Sequence, residues 1–226
     1  MKFTFYGQSC FLIEFGDKLL LTDPFIHPNL KAKDFNIEDL QPDYILLSHG
    51  HGDHVEDLKE ILSHSKATLI STFELVTYYQ DVAENGHGMN TGGKFSFDLG
   101  MVKLVSAVHS SVLPDGTYGS NPVGFVVWND NNCFYFAGDT ALTLDMKLIP
   151  MTCPPLDIAI LPIGDNFTMG YEDAAIAAEF INCDQIIGCH YDTFPPIEID
   201  HNSAVAEFKK KEKTLHLLEP NKSLKI

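Results

Sequence analysis

The chain has 226 residues, 45% hydrophobic and 20% charged, a composition typical of a globular protein with a substantial core. Its 31 acidic residues against 15 basic ones give a formal net charge of −16, so we expect no nucleic-acid partner, because such a surface repels polyanions. No window reaches the roughly 18 consecutive apolar residues of a membrane span, and the five cysteines contain no Cys-x-x-Cys pair. We therefore expect a cytoplasmic protein with reduced thiols and no membrane partner.

The first part of the chain predicts a meander of short strands, followed by alternating strands and helices. Glycines at the turns separate the first strands, and the apolar spacing changes to a helical period after residue 54. The segment 29–40 is interpreted as a surface excursion between two strands. Strands are predicted at 2–5, 9–14, 18–22, 43–47 and 67–71, and helices at 55–64 and 73–85.

The rest of the chain repeats this pattern after a glycine-rich segment at 86–93. That segment is predicted to be a loop without regular structure, and it lacks the Lys-Ser/Thr ending of a nucleotide-binding P-loop. No linker or composition break is present, so we expect one domain over 1–226, with two similar halves packed face to face and helices outside. Strands are predicted at 94–97, 101–107, 122–128, 132–137, 157–161, 185–188 and 214–218, and helices at 171–182 and 204–211.

The run Ser-His-Gly-His-Gly-Asp-His at 48–54 directly follows an apolar strand and holds four potential metal ligands within six positions. In extended chain His49 and His51 fall on the same side, because side chains alternate with period two, so both can bind one ion. Asp53 and His54 then point toward a second ion. The glycines between these residues are expected to let the backbone turn tightly around the metal.

Three further metal-ligand candidates each follow a predicted strand end. They are His109, Asp139 and His190. A single histidine after a strand is more often a hydrogen-bonded surface residue. Together with the run at 48–54, however, the pattern indicates one site built at the edge where strand ends converge.

These motifs carry a resemblance to a known family. The run at 48–54, Val108-His109, Gly138-Asp139-Thr140 and Cys189-His190 resemble the metallo-β-lactamase superfamily. The segments 86–90, 161–170 and 190–196 are similar to the UPF0173 metal-dependent hydrolases, and more distantly the chain resembles ascorbate-6-phosphate lactonase. The resemblance spans essentially the whole chain.

The resemblance implies an α+β fold, a four-layer αββα sandwich of metallo-β-lactamase type, with a dinuclear site at one edge. It assigns His49, His51 and His109 to the first metal ion. It assigns Asp53, His54 and His190 to the second ion, with Asp139 bridging both. Asp23 is expected to hydrogen-bond a ligand histidine from behind, although a turn aspartate before Pro24 is an equal alternative.

The ligand set predicts hydrolytic chemistry. Imidazole and carboxylate ligands without thiolate suit zinc first, and also manganese, iron or nickel. Two such ions would share a water and lower its pKa, so that a metal-bridged hydroxide attacks a small ester, lactone or phosphodiester. Asp53 and Asp139 are the expected catalytic carboxylates, with Asp53 orienting the hydroxide or passing a proton to the leaving group.

Two other functions remain open from the sequence. One is a nuclease of the same fold, which the charge of −16 and the absence of an added nucleic-acid domain disfavour. The other is a non-catalytic metal-binding module. The expected partner is a small-molecule substrate, and a homo-oligomer is expected only by analogy with the lactonase. Candidate substrate contacts in the flanking loops are His87, Asn90, Asp165, Asn166 and Tyr191.

Overall fold

Two mixed β-sheets form the centre of the structure, a computed structural model that describes residues 1–29, 32 and 35–226. In the first sheet the strand order is β14-β1-β2-β3-β4-β5-β6. The pairs from β14 to β3 are antiparallel and those from β3 to β6 are parallel. These strands are β1 Lys2–Gly7, β2 Cys10–Phe15, β3 Lys18–Thr22, β4 Tyr44–Leu46, β5 Thr68–Thr72, β6 Asn85–Met89 and β14 Lys222–Lys225.

The second sheet has the mirrored arrangement, with strand order β13-β12-β11-β10-β9-β8-β7. Its pairs from β7 to β10 are antiparallel and those from β10 to β13 are parallel. These strands are β7 Lys94–Phe97, β8 Gly100–Ser106, β9 Val123–Trp128, β10 Cys133–Phe136, β11 Ile158–Pro162, β12 Gln185–Cys189 and β13 Thr214–His216.

The helices lie on the outer faces of the two sheets and are short. None of the helices in the described ranges has the length and apolar run that crossing a bilayer requires. The α-helices are α1 Gly52–Val55, α2 Leu58–His64, α3 Phe73–Tyr78, α4 Ile149–Thr152, α5 Tyr171–Phe180 and α6 His201–Lys210, and 3-10 turns lie at Ile37–Asp39, Leu144–Leu148 and Pro195–Ile197.

Phenylalanine side chains hold the two sheets together. The ring of Phe134 on β10 meets Phe3 and Phe15 of the first sheet edge-on, with centroid distances of 5.9 and 5.5 Å. All three rings are almost completely buried, and full burial of such a side chain stabilises a fold by about 1.5–3 kcal/mol. This inner core fixes the sheets face to face.

Each outer layer packs on its sheet through a separate apolar cluster. On one side α2 and α3 bury Leu58, Ile61 and Leu75 against the first sheet. On the other side α5 presents a row of alanines, which lets the helix approach the second sheet closely, and α6 adds Phe208. The order helix, sheet, sheet, helix confirms the predicted four-layer αββα sandwich of the α+β class.

Several predictions of local structure were wrong. The helix predicted at 73–85 ends at Tyr78, and β6 forms where an irregular loop was expected. Gly86 and Gly88 make this strand possible, because a Cβ at these positions would lie 2.6 Å from Val76 Cγ1 and 2.9 Å from Phe73 Cα in the helix above. The helix predicted at 55–64 begins only at Leu58, as α2, while the separate helix α1 lies at Gly52–Val55 where a loop was expected; strand β14 was not predicted.

The segment 29–40 is also more than a surface excursion. Ala32, Ile37 and Leu40 are buried in the outer cluster with α2, because the segment covers that side of the first sheet. Residues 30, 31, 33 and 34 of this prediction lie outside the described residues. The cysteines are free, as expected, although Cys153 is partly exposed.

Candidate metal centre

The ends of several strands meet at one edge of the sandwich and bring the candidate ligands together. The run 48–54 follows β4, Asp139 follows β10 and His190 follows β12, while His109 lies beyond the end of β8. Among the described residues, this edge holds three groups of three side chains, and within each group the ligand atoms lie within 4.8 Å of one another. Two of them are the triplets that the resemblance implied.

The first triplet is formed by His49, His51 and His109. The Nε2 atom of His49 lies 2.9 Å from Nδ1 of His51. The ring of His109 stands nearly perpendicular to both other rings, with centroid distances of 5.2 and 5.0 Å. Three imidazole nitrogens that converge in this way match the ligand set of a three-histidine zinc site.

The second triplet is formed by Asp53, His54 and His190. The Nε2 atoms of both histidines lie 3.5 Å from Oδ2 of Asp53. The two imidazole rings are nearly parallel, with centroids 5.8 Å apart. This set offers two nitrogens and one oxygen to a second ion.

Asp139 lies between the two triplets. Its Oδ2 atom is 3.0 Å from His190 Nε2 and 3.3 Å from His54 Nε2 on one side. On the other side it is 3.5 Å from His109 Nε2 and 3.9 Å from His49 Nε2. A single carboxylate therefore reaches both groups of ligand atoms.

A hydrogen-bonded support orients two of the histidines. Asp23 Oδ2 accepts a hydrogen bond from His54 Nδ1 at 2.7 Å, and it also accepts one from the Ser48 hydroxyl at 2.5 Å. Because that hydroxyl donates to Asp23, its oxygen is free to accept from His49 Nδ1, 2.9 Å away. In the neutral form of both rings, this arrangement keeps the proton on Nδ1 and directs the Nε2 lone pair into the site, which is the tautomer that metal binding needs.

Gln8 is a contact that the sequence analysis did not identify. Its side-chain Nε2 donates to Asp53 Oδ2 at 2.7 Å, and its main-chain oxygen accepts from the His190 amide at 2.7 Å. Gln8 is fully buried and has a φ of +53°, in the left-handed region that non-glycine residues rarely occupy. It lies in the turn between β1 and β2, far from any motif, so no signal in the sequence marked it.

The buried charges of the site divide it into two parts. Burial lowers the pKa of His49, His51 and His109, so these imidazoles are neutral ligands. Burial also opposes charge on His54 and His190, but the neighbouring carboxylates outweigh it. They raise the pKa of His190 to about 9 and that of His54 well above its ordinary value.

The carboxyls show the complementary effect. Burial favours the neutral form of Asp53 and Asp139, but the positive charge on His54 and the contacts with His190 outweigh it and hold both pKa values below the ordinary value. Without a metal, the carboxylates of Asp53 and Asp139 are thus balanced by the imidazolium groups of His54 and His190. A cation at the second triplet would take over the role of those protons.

Unsatisfied polar atoms support this interpretation. His54 Nε2 and Asp139 Oδ1 are buried and have no hydrogen-bond partner among the described residues. Buried polar atoms without a partner are rare and costly, and a bound ion is one of the accepted explanations. The residues present therefore fit a metal site.

A cavity of about 330 Å³ opens onto both triplets. Ligand candidates form its floor, and two phenylalanines and a serine complete the lining. The described lining residues are His51, Asp53, His109, Ser110, Asp139, Phe167, His190 and Phe194.

The five candidate substrate contacts are not on the wall of this cavity. His87, on the edge strand of the first sheet, packs against Phe95 of the second sheet, with ring centroids 4.1 Å apart. Asn90 accepts a hydrogen bond from the amide of Thr91 in a turn. Tyr191 lines a different cavity. Asp165 and Asn166 form a tight turn with positive φ just before Phe167, which does line the cavity.

Comparisons with known proteins show which chains this one is similar to. A family model described as a beta-lactamase superfamily domain matches residues 2–190. A UPF0173 metal-dependent hydrolase of Christiangramia forsetii is 52% identical, covering 100% of each chain, and another of Flavobacterium johnsoniae is 51% identical with the same coverage. A solved metallo hydrolase from Ignicoccus hospitalis superposes with a TM-score of 0.88 at 28% identity, covering 99% of this chain and 97% of that one.

Proposed function

The chain belongs to the UPF0173 metal-dependent hydrolases of the beta-lactamase superfamily, and we propose that it uses two metal ions to hydrolyse a small ester, lactone or phosphodiester. The observation that carries the proposal is the position of Asp139. One carboxylate oxygen lies within 3.0–3.9 Å of nitrogens from both triplets. A carboxylate in this position is suited to bridge two ions. The proposal treats the chain as a single hydrolase domain.

The proposed ligands follow from the two triplets. His49, His51 and His109 hold the first ion, and the second triplet with Asp139 completes the site. Zinc suits this set of nitrogen and oxygen ligands, and manganese, iron and nickel suit it as well, because imidazole does not discriminate strongly among them.

The bound ions supply Lewis acidity and make a water molecule acidic enough to react near neutral pH. The residues around them provide orientation and proton transfer. Asp53 lines the cavity, and a hydrogen bond from the Gln8 side chain orients its carboxylate. The carboxylate can therefore contact a substrate bound in the cavity. We assign it the task of orienting the attacking water or passing a proton to the leaving group.

The charge of the cavity disfavours the alternative of a nuclease. Nucleic-acid binding depends mainly on lysine and arginine contacts to phosphates, and no lysine or arginine is among the described lining residues. A non-catalytic metal-binding module is disfavoured because its ligands would not need an open cavity beside them. Structural metal sites are closed, whereas catalytic ones keep an accessible position.

The test combines metal analysis with a substrate panel. We expect the purified protein to bind about two metal ions per chain. After reconstitution with zinc, manganese, iron or nickel, it should hydrolyse at least one class among p-nitrophenyl esters, lactones and p-nitrophenyl phosphodiesters. Two bound ions without cleavage of any of these classes would contradict the proposal and favour the non-catalytic alternative.

A further inference from the structure

Phe167 and Phe194 lie at the mouth of the cavity with much of their rings in solvent. The exposed fractions are 54% for Phe167 and 37% for Phe194, although both side chains line the same cavity as Asp53 and Asp139. Large apolar groups that stay exposed beside polar chemistry often mark a ligand-binding surface. Here they would gain burial only when something occupies the cavity.

The loop that carries Phe167 is held in place by main-chain hydrogen bonds. The amide of Met169 donates to the carbonyl of Thr140 at 3.0 Å, and the amide of Asp165 donates to the Met169 carbonyl at 3.3 Å. Thr140 directly follows Asp139, so the loop is tied to the backbone of a proposed ligand. The backbone that carries the ring is therefore held in place before a ligand arrives, which lowers the entropic cost of binding.

Phe194 lies in the segment that follows β12, and contacts within the folded chain hold this segment in place as well. Its ring contacts the buried Phe25, with centroids 6.2 Å apart. The turn around it is closed by a hydrogen bond from the Asp192 amide to the Ile197 carbonyl at 2.8 Å, and the Asp192 carboxylate accepts the amide of Ile199. The rim of the cavity thus has two aromatic side chains on separate, hydrogen-bonded loops.

The other residues that line the cavity indicate which charge a substrate can carry. No lysine or arginine is among the described residues around the cavity, and its polar groups other than Ser110 are proposed metal ligands. The proposed metal ions could accept an anionic group at the scissile bond itself, but a phosphate or carboxylate elsewhere on the substrate normally requires cationic side chains at its point of contact. The walls offer apolar surface instead.

From these observations we propose that Phe167 and Phe194 form an apolar substrate subsite, which takes an uncharged alkyl or aryl acyl group next to the scissile bond of an ester or lactone. This rests on the proposed hydrolase function and narrows its substrate class. The cavity of about 330 Å³ accommodates a small molecule of this kind. Substrates that carry a phosphate or carboxylate away from the scissile bond are disfavoured.

The first test measures binding and needs no turnover. Hydroxamates chelate metal ions, so acetohydroxamate and benzohydroxamate differ mainly in the apolar group offered to the subsite. With zinc-loaded protein, calorimetry should show benzohydroxamate binding about tenfold more tightly than acetohydroxamate, as expected for several buried carbons. Phe167→Ala and Phe194→Ala should each reduce this ratio at least threefold.

Phe73→Ala is the matched control, because Phe73 is 63% exposed but does not line the cavity, and it should leave the ratio unchanged. Equal affinity of the two hydroxamates would overturn the apolar subsite and leave the hydrolase proposal standing. Failure of both compounds to bind metal-loaded protein would overturn the accessible metal centre, and with it both proposals.

The second test compares two esters of the same length that differ in charge. The p-nitrophenyl ester of pentanoic acid should be hydrolysed with a kcat/KM at least tenfold above that of the mono-p-nitrophenyl ester of glutaric acid, which carries a terminal carboxylate. In Phe167→Ala the ratio of kcat/KM for p-nitrophenyl pentanoate to kcat/KM for p-nitrophenyl acetate should fall. A preference for the charged ester would overturn the assignment of an uncharged substrate.

Discussion

Gln8 joins two proposed metal ligands that come from different sheets of the sandwich. Its side chain holds Asp53 and its main-chain oxygen holds the amide of His190. We expect Gln8→Ala to weaken metal binding and to lower kcat by about 10- to 100-fold, the usual effect of losing a hydrogen bond behind a ligand. Metal titration and steady-state kinetics measure both quantities, and KM should change much less than kcat.

Gln80→Ala serves as the control, because Gln80 is an exposed residue remote from the ligands in the sequence. The main-chain contact to His190 survives in Gln8→Ala, so the variant tests the side chain alone. A lower melting temperature with unchanged metal affinity would show that Gln8 is only a structural residue of the turn.

Asp139 is the residue on which the dinuclear proposal depends most. Asp139→Ala should lose at least one metal ion and nearly all turnover, because the carboxylate that reaches both triplets is removed. Metal analysis of the purified variant gives the count directly. Asp145→Ala, at an exposed aspartate outside the cavity, should retain the metal content and activity of the unmodified protein; wild-type activity in Asp139→Ala would remove Asp139 from the site.

At the scale of elements, local apolar patterns predicted the strands that are stabilised by their own side chains. The bounds predicted for β3 and β7 match the structure, β9 begins one residue later than predicted, and β10 is one residue shorter at each end. Strand β6 could not be predicted in this way, because two of its five residues are glycines and its place depends on packing beneath α3. Strand β14 pairs with β1 at the opposite end of the chain, a contact that no local pattern announces.

The element that carries the first ligands contains two glycines with different demands. A Cβ on Gly50 would lie 2.9 Å from the Gly119 Cα and 3.2 Å from Leu113, whereas a Cβ on Gly52, at the start of α1, meets nothing within 4 Å. Both glycines were expected to let the backbone turn tightly around the metal, but the structure shows no steric need for a glycine at position 52. Only the first position requires the absence of a side chain.

We therefore expect Gly50→Ala to lower the stability of the protein by about 1–3 kcal/mol, because the added methyl group overpacks a backbone contact. The backbone movement that relieves this overpacking should also displace His49 and His51 and reduce the metal content. Gly52→Ala should keep its stability or gain up to about 1 kcal/mol, since alanine favours a helix. Thermal unfolding of the two variants side by side measures the difference; equal losses would contradict the packing argument.

At the scale of the whole molecule, the residues with ligand chemistry were visible in the sequence, and the residues that orient them mostly were not. Histidines and aspartates that follow apolar strands can be identified as candidate ligands from their residue type and spacing. Gln8 and Asp53 are 45 positions apart and meet only because the folded first sheet brings the turn between β1 and β2 next to the segment that follows β4. The same holds for the contact between Phe25 and Phe194, which exists only in the folded chain.

Metal binding should couple the stability of the whole protein to pH. In the metal-free protein the pKa of His190 is raised to about 9 by Asp139 and Asp53 against the effect of burial, and that of His54 is raised as well. A raised histidine pKa contributes stability below the unfolded value of about 6.5, and that contribution is lost as the pH rises toward 9. A metal ion must displace these protons, so its affinity should rise over the same interval, by roughly tenfold per pH unit for each proton displaced.

The expected result is a difference in melting temperature between metal-loaded and metal-free protein that widens from pH 6.5 to pH 8.5, since tighter binding stabilises the folded state further. Calorimetry of metal binding at pH 7 in two buffers of different ionisation enthalpy should show release of at least one proton. Because His49, His51 and His109 are already neutral at this pH, the released protons come from His54 and His190. A constant difference in melting temperature together with buffer-independent binding heats would mean that metal binding leaves the protonated histidine pair intact, which would place the ion at the first triplet alone.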